Sequence, residues 1–128
     1  MKKKIPFFKT SYDYNEVKAF SKLVRSGNFS MGMATINFEI AIAKKLNITH
    51  ENVALVSNCT TGLHLSMIVT GIKQNHEVLC SSLTFVADAN CIKYVGAKPQ
   101  FVDITSYKNW NMSVNDIKNK IKRNTKAI

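Results

Sequence analysis

The sequence predicts an α/β fold, a mostly parallel sheet covered by helices on both faces to give three α-β-α layers. Three observations carry this prediction. Short apolar runs alternate with longer stretches whose apolar residues recur at helical spacing. The junctions between them are short and marked by Gly, Pro, Ser or Thr. One junction, Ser57-Asn58-Cys59-Thr60-Thr61-Gly62, leads from an apolar run into a helix through small polar residues, as the strand-to-helix turn of a crossover unit does. The length of 128 residues and the hydrophobic fraction of 45% suffice for a real core.

In chain order, residues 16–26 read as a helix. Val17, Phe20, Leu23 and Val24 share one face, and Gly27 is placed to stop it. Residues 28–32 read as a loop. A second helix spans about residues 35–46, with Ile36, Ile40, Ala43 and Leu46 in a stripe. Both stripes are expected to pack into a core. The rhythm then changes. Val53–Val56 reads as a strand, 60–70 as a helix ended by Gly71, and 77–80 as a strand. Residues 85–95 read as a helix ended by Gly96, and 100–102 as a strand introduced by Pro99. Ser113 caps a helix running to about Lys122, with Asp116 three residues on in the manner of a capping box. Val114, Ile117 and Ile121 form its inner face. Thr125–Ile128 reads as the beginning of another strand. A parallel sheet cut there would leave apolar faces and strand edges uncovered. Residues 1–128 are therefore expected to be a single, incomplete domain.

Open sheets of this kind bind ligands beyond the carboxyl ends of their strands. The turns after Val56, Cys80 and Val102 should then share one edge, making residues 57–61, 81–85 and 103 neighbours.

The net charge of +10 is the one unusual bulk property. It includes the start Met1-Lys2-Lys3-Lys4 and the cluster Lys118–Arg123. No recognised nucleic-acid module accompanies it, so solvated lysine faces are the preferred reading over a nucleic-acid surface. No apolar run is long enough to cross a bilayer. Ile5-Pro6-Phe7-Phe8 is too short and too soon broken for a signal peptide, so a cytoplasmic chain is expected. Cys59, Cys80 and Cys91 form no C-x-x-C pair and read as small buried residues of a reducing compartment, without disulfide or zinc. His50, His64 and His76 are scattered, and no metal site is predicted. Four Asn-x-Ser/Thr triplets, at Asn28, Asn47, Asn58 and Asn111, mean little without a secretory signal.

Neither G-x-G-x-x-G nor G-x-x-x-x-G-K-[ST] occurs. The turn at residues 57–62 is a different kind of phosphate cup. Cys59 is small enough for the backbone to approach a ligand, and Thr60 and Thr61 each offer an N–H and a hydroxyl at the positive end of a helix. A Ser/Thr-rich cap with no ligand is the plainer alternative. Phe85 falls at the same sheet edge, either as a ring that stacks on a flat heterocycle or as an ordinary core aromatic.

Taken in order, these blocks resemble one family. They are Ser57–Leu65, Glu77-Val78, Ser82–Ala87, Tyr94–Ile104 and Thr125–Ile128, preceded by Ile5-Pro6-Phe7, Ser26-Gly27, Gly32 and Phe38-Glu39. The pattern is similar to that of the DegT/DnrJ/EryC1/StrS aminotransferases, pyridoxal-phosphate enzymes of fold type I that act on nucleotide-linked keto-sugars. The resemblance implies that Thr60 and Thr61, with Cys59 beside them, hold the pyridoxal 5′-phosphate tail, and that Phe85 stacks on its ring. It implies an amino donor, usually glutamate, and homodimers with active sites at the subunit interface, a dimer these residues alone are not expected to form. The family's Schiff-base lysine, and the aspartate that pairs with the pyridine nitrogen, fall beyond the Thr125–Ile128 block and have no counterpart here. No catalytic residue is therefore assigned, and the 128 residues alone are expected to be inactive. Asp103 reads as a strand-end or turn cap. Asp88, where the family often has a small residue, either adds negative charge near the cofactor or faces solvent. The rival readings are a non-catalytic remnant and a basic nucleic-acid-binding module.

Overall fold

The computed structural model describes residues 5–6, 8–28 and 30–128. The basic start Met1–Lys4, Phe7 of the N-terminal family pattern, and Phe29 of the loop at 28–32 lie outside the described residues. The chain divides into two compact units, Met1–Leu55 and Val56–Ile128, where the sequence reads as one domain.

In the first unit, helix α1 spans Tyr14–Arg25 and helix α2 spans Met33–Leu46. Asp13 opens α1 with a reciprocal capping box that the sequence reading passed over: its carboxylate accepts from the Asn15 N–H at 2.7 Å, and its own N–H donates to Glu16 at 2.7 Å. Gly27 follows α1 at φ +72°, a left-handed turn that suits glycine. The helices form where the periodicity put them, but their stripes do not pack into a core. α1 buries none of its residues, Phe20 being 68% exposed, and α2 buries only Ala43. Amphipathicity is a property of one helix, whereas burial needs a second surface, and the described residues of this unit do not supply one. Residues 53–56 likewise correct a prediction. Val53 is extended, with φ −121° and ψ 125°, but the segment joins no ladder among the described residues. A strand exists only where a neighbour meets its N–H and C=O groups. Here the Leu55 N–H donates instead to the Glu39 carboxylate at 2.9 Å.

The second unit carries the sheet. Strand β1 (Glu77–Ser81) lies between β2 (Lys98–Val102) and β5 (Thr125–Ala127), parallel to both. Helix α3 (Cys59–Val69) precedes β1, α4 (Val86–Tyr94) links β1 to β2, and α5 (Val114–Lys120) leads to β5. The predicted strand at 125–128 therefore forms, and Gly71 and Gly96 end their helices at φ +74° and +76°. From β1 the chain steps outward to β2, then returns past β1 to β5. By the right-handed rule for parallel crossovers, steps in opposite directions would put α4 and α5 on opposite faces, as the three-layer prediction requires. Val78 and Cys80 face a core of Ile72, Cys91, Ile92 and Ala97, flanked by Leu63 and Met67 of α3. Leu79 points the other way along the pleat and is equally buried. Pro99 sits inside β2 without cost because β2 is an edge strand and needs no ladder bond on its outer side.

Residues 104–112, to which the sequence reading gives no element, fold into an antiparallel hairpin of β3 (Ile104–Ser106) and β4 (Asn109–Met112). Ser113 caps α5 as predicted, accepting from the Asp116 N–H at 3.3 Å. The capping box is incomplete: the Asp116 carboxylate turns away to accept from the Asp103 N–H and from the Lys120 ammonium, each at 2.8 Å. Lys120 also donates to the Phe101 carbonyl at 2.9 Å, so the pair ties α5 to β2. The Asp103 N–H and then Lys120 hold the Asp116 carboxyl below the usual carboxylate range. A lowered folded value means that the tie is complete above the ordinary carboxylate pKa and is lost as pH falls through the folded one. Asp116→Asn should flatten the acid limb of the melting temperature below about pH 4. Thermal melts of both proteins over that range check it, and parallel acid limbs would refute it.

No helix among the described residues is long and apolar enough to cross a membrane.

Candidate cofactor site

The carboxyl end of the sheet is assembled from three junctions. Ser81 lies opposite Val102 in the β1–β2 ladder, and the Ser82 N–H donates to the Val102 carbonyl at 2.8 Å. Residues 81–85 and 103 are thus neighbours, as parallel topology required. The turn at 57–61 approaches them through the packing of α3 on α4. Among the described residues no hydrogen bond links 57–61 to 81–85.

The first junction is the head of α3. Asn58 is its N-cap and Cys59, Thr60 and Thr61 are its first three residues. The Asn58 carboxamide oxygen accepts from the Thr61 N–H at 2.9 Å and from the Thr61 hydroxyl at 3.1 Å. The Asn58 amide nitrogen donates to Ser57 Oγ at 3.3 Å, and Ser57 Oγ lies 3.2 Å from Thr61 Oγ1. Thr61, read from sequence as an open donor, therefore already spends its N–H and hydroxyl on the cap. Among the described residues no acceptor meets the Cys59 and Thr60 N–H groups, which point out of the positive end of the helix. Cys59 is exposed, against the expectation of a buried thiol, because it stands at the helix tip. Cys80 and Cys91 are buried as expected, and burial first, then Asp88, pushes both thiols up. One turn further along α3, His64 packs edge-on against Tyr94, with ring centroids 5.4 Å apart.

The second junction is the head of α4. Phe85 is its N-cap position, with φ −72° and ψ 142°, and a phenyl ring supplies no cap. Phe85 is 73% exposed, so among the described residues it is not a core aromatic. Thr84 donates its hydroxyl to Asp88 across the first turn of α4, which engages the Asp88 carboxylate locally. Asp103 is the turn residue expected: its carboxylate accepts from the Ile104 N–H and its carbonyl from Ser113, each at 2.8 Å.

An anionic, flat ligand fits this donor set. Residues 57–62 carry two open N–H groups and hydroxyls but no carboxylate, and an exposed ring stands at the same edge. A cavity of about 560 Å³ in the first unit, between α1 and α2, offers Lys22 as its only charged lining residue and no such set. No group of His, Cys, Asp and Glu suited to a metal ion occurs among the described residues.

Residues 10–128 match the DegT/DnrJ/EryC1/StrS aminotransferase family. The chain belongs to that family. It is 41% identical over 99 residues to a GDP-perosamine synthase of Escherichia coli O157:H7, covering 77% of this chain and 26% of that protein. It is 38% identical over 125 residues to the GDP-perosamine synthase of Vibrio cholerae, covering 97% of this chain and 33% of that one. Among solved structures it superposes on the aminotransferase TlmJ from Streptoalloteichus hindustanus with a TM-score of 0.85 and 32% identity, over 95% of this chain and 33% of that chain. The chain thus spans about a third of the length of the relatives it matches. The matched family is one of aminotransferases.

Asn58 is the residue that sequence reasoning missed. Its signal was present: an Asn three residues before Thr61, at the mouth of a helix, has the spacing of an N-cap to its third helical residue.

Proposed function

We propose that this chain supplies the phosphate cup and the aromatic wall of a pyridoxal-phosphate aminotransferase acting on a nucleotide-linked keto-sugar, with glutamate as amino donor. The open head of α3, carried in a family match that spans residues 10–128, is the observation that supports it. The α3 turn, Cys59 to Thr61, holds the phosphate through its open backbone N–H groups and the Thr60 hydroxyl, with Thr61 fixing the turn and the helix dipole behind it. Phe85 offers the face on which the pyridine ring rests. Pyridoxal phosphate, when bound, is the electron sink for amino-group transfer. The lysine and aspartate that the family's chemistry requires have no counterpart among these residues, so the 128-residue polypeptide binds without transaminating.

The test is a fluorescence titration of the 128-residue polypeptide. Pyridoxamine phosphate is the probe, because it lacks the aldehyde that would react with the chain's many lysines. Binding that inorganic phosphate displaces, with no glutamate-dependent amino transfer in the presence of pyridoxal phosphate, is expected. Absence of any binding, or measurable amino transfer, would overturn the respective half of the proposal.

A further inference from the structure

Glu77 opens β1 and is 2% exposed, the one charged residue buried among the described residues. It stands at the amino end of the strand and takes no part in the cup or the aromatic wall at the carboxyl end. A charge stays out of water only where partners hold it. Here the partners come from the segment that leads into β5. The Thr125 hydroxyl donates to Glu77 Oε1 at 3.4 Å, and Lys122 Nζ lies 3.6 Å from Oε2. The Glu77 N–H donates to the Asn124 carbonyl at 2.8 Å. The Thr125 hydroxyl also accepts from the Lys122 N–H at 2.9 Å, so the turn at 122–125 is closed on itself where it meets the carboxylate.

Just past this contact the β1–β5 ladder is irregular. Thr125 lies opposite Glu77, yet Ala127, and not Lys126, lies opposite Val78. One extra residue, Lys126, is thus taken up in β5. Neighbours across a ladder share one face of the sheet. Val78 faces the core, and Ala127 packs there with it. Lys126 stays exposed, its ammonium on the Arg123 carbonyl at 3.1 Å. An even ladder from Thr125 onward would turn Lys126 into that core.

We propose that Glu77 is the register lock of β5: its buried carboxylate pins Thr125 and Lys122 at the amino end of β1, so that the extra residue falls at Lys126 and Ala127 enters the core. The lock acts at a distance. β5 sends Ile128 to a cavity of about 270 Å³ beside the carboxyl half of β1, which Ser81, Asp88 and Met112 also line. A slip of one residue moves a strand by about 3.3 Å and turns its side chains to the other face. Glu77 thus sets, from one end of the sheet, what β5 presents towards the other. An apolar residue would fill the same space and fix no register.

Nuclear Overhauser contacts and amide exchange over residues 122–128 of the 128-residue polypeptide read the register directly. The native chain should give one set of contacts, with the Ala127 methyl against Val78. Glu77→Leu should stay folded but lose that contact, and the amides of residues 125–127 should exchange about tenfold faster or more relative to those of β2, the loss of a bond to a charged group. Glu77→Gln keeps an acceptor for Thr125 and should keep the native contact. Lys126→Ala makes an even ladder harmless to the core, and should still show the native register because Glu77 is intact. If Glu77→Leu does not fold, Thr125→Val carries the same test, since it keeps the shape and loses the hydroxyl. The native contact and protection persisting in Glu77→Leu, or in Thr125→Val where that variant stands in, would overturn the proposal. So would a slipped register in Lys126→Ala or in Glu77→Gln.

Discussion

Alanine at Leu79 is expected to lower the unfolding free energy by about 3 kcal/mol. Leu79 is 1% exposed at the centre of β1, the middle strand of the parallel sheet, with β2 paired on one side and β5 on the other. Truncation removes a leucine side chain from water-excluded surroundings and leaves a cavity that three hydrogen-bonded strands cannot easily collapse. Small domains hold only about 5–15 kcal/mol in total, so the loss is a large share of stability. Urea unfolding followed by far-UV circular dichroism measures it, with Leu79→Ile as a control of equal volume that should cost less than about 1.5 kcal/mol. A loss below about 1 kcal/mol in Leu79→Ala would mean that the layer beneath β1 is not packed.

Phe85 should show the opposite behaviour. It is 73% exposed, so Phe85→Ala should change folding stability by no more than about 0.5 kcal/mol. Affinity for pyridoxamine phosphate should nevertheless fall about tenfold, because the stacking face is gone. Phe85→Tyr and Phe85→Trp keep a ring and should keep most of the affinity. Equal binding by native protein and Phe85→Ala would remove the ring from the site. Leu79 and Phe85 thus separate a residue that makes the fold from one the fold only presents.

The difference between them was partly legible in the chain. Leu79 lies in a continuous apolar run, which is how a strand buried on both faces reads, and the structure buries Glu77 through Cys80 without a gap. Phe85 read two ways, because an aromatic after a strand has no periodicity to assign it. Its exposure came only with the coordinates. The amphipathic stripes of α1 and α2 show the reverse: the spacing was right, and burial did not follow. Val53–Val56 has strand composition but no ladder neighbour. The hairpin at 104–112 has neighbours but no Asn-Gly or Asp-Gly turn to announce it, and its Tyr107 and Trp110 project outward.

What the order of residues settled was local and modular. Helical spacing, the glycines at 27, 71 and 96, the Ser113 cap and the α/β alternation each depend on a few neighbouring residues, and so does the block pattern that marks the family. What needed the folded chain was every question of partnership. A hydrogen bond goes to whichever group tertiary contact brings nearest, and sequence does not show which group that is. That is why Asp116 bonds to the Asp103 N–H and Lys120 rather than to the N–H of its own cap. The hold of Asn58 on Thr61, three residues on, is by contrast local and has the spacing of a cap, and it leaves the N–H groups of Cys59 and Thr60 free at the head of α3.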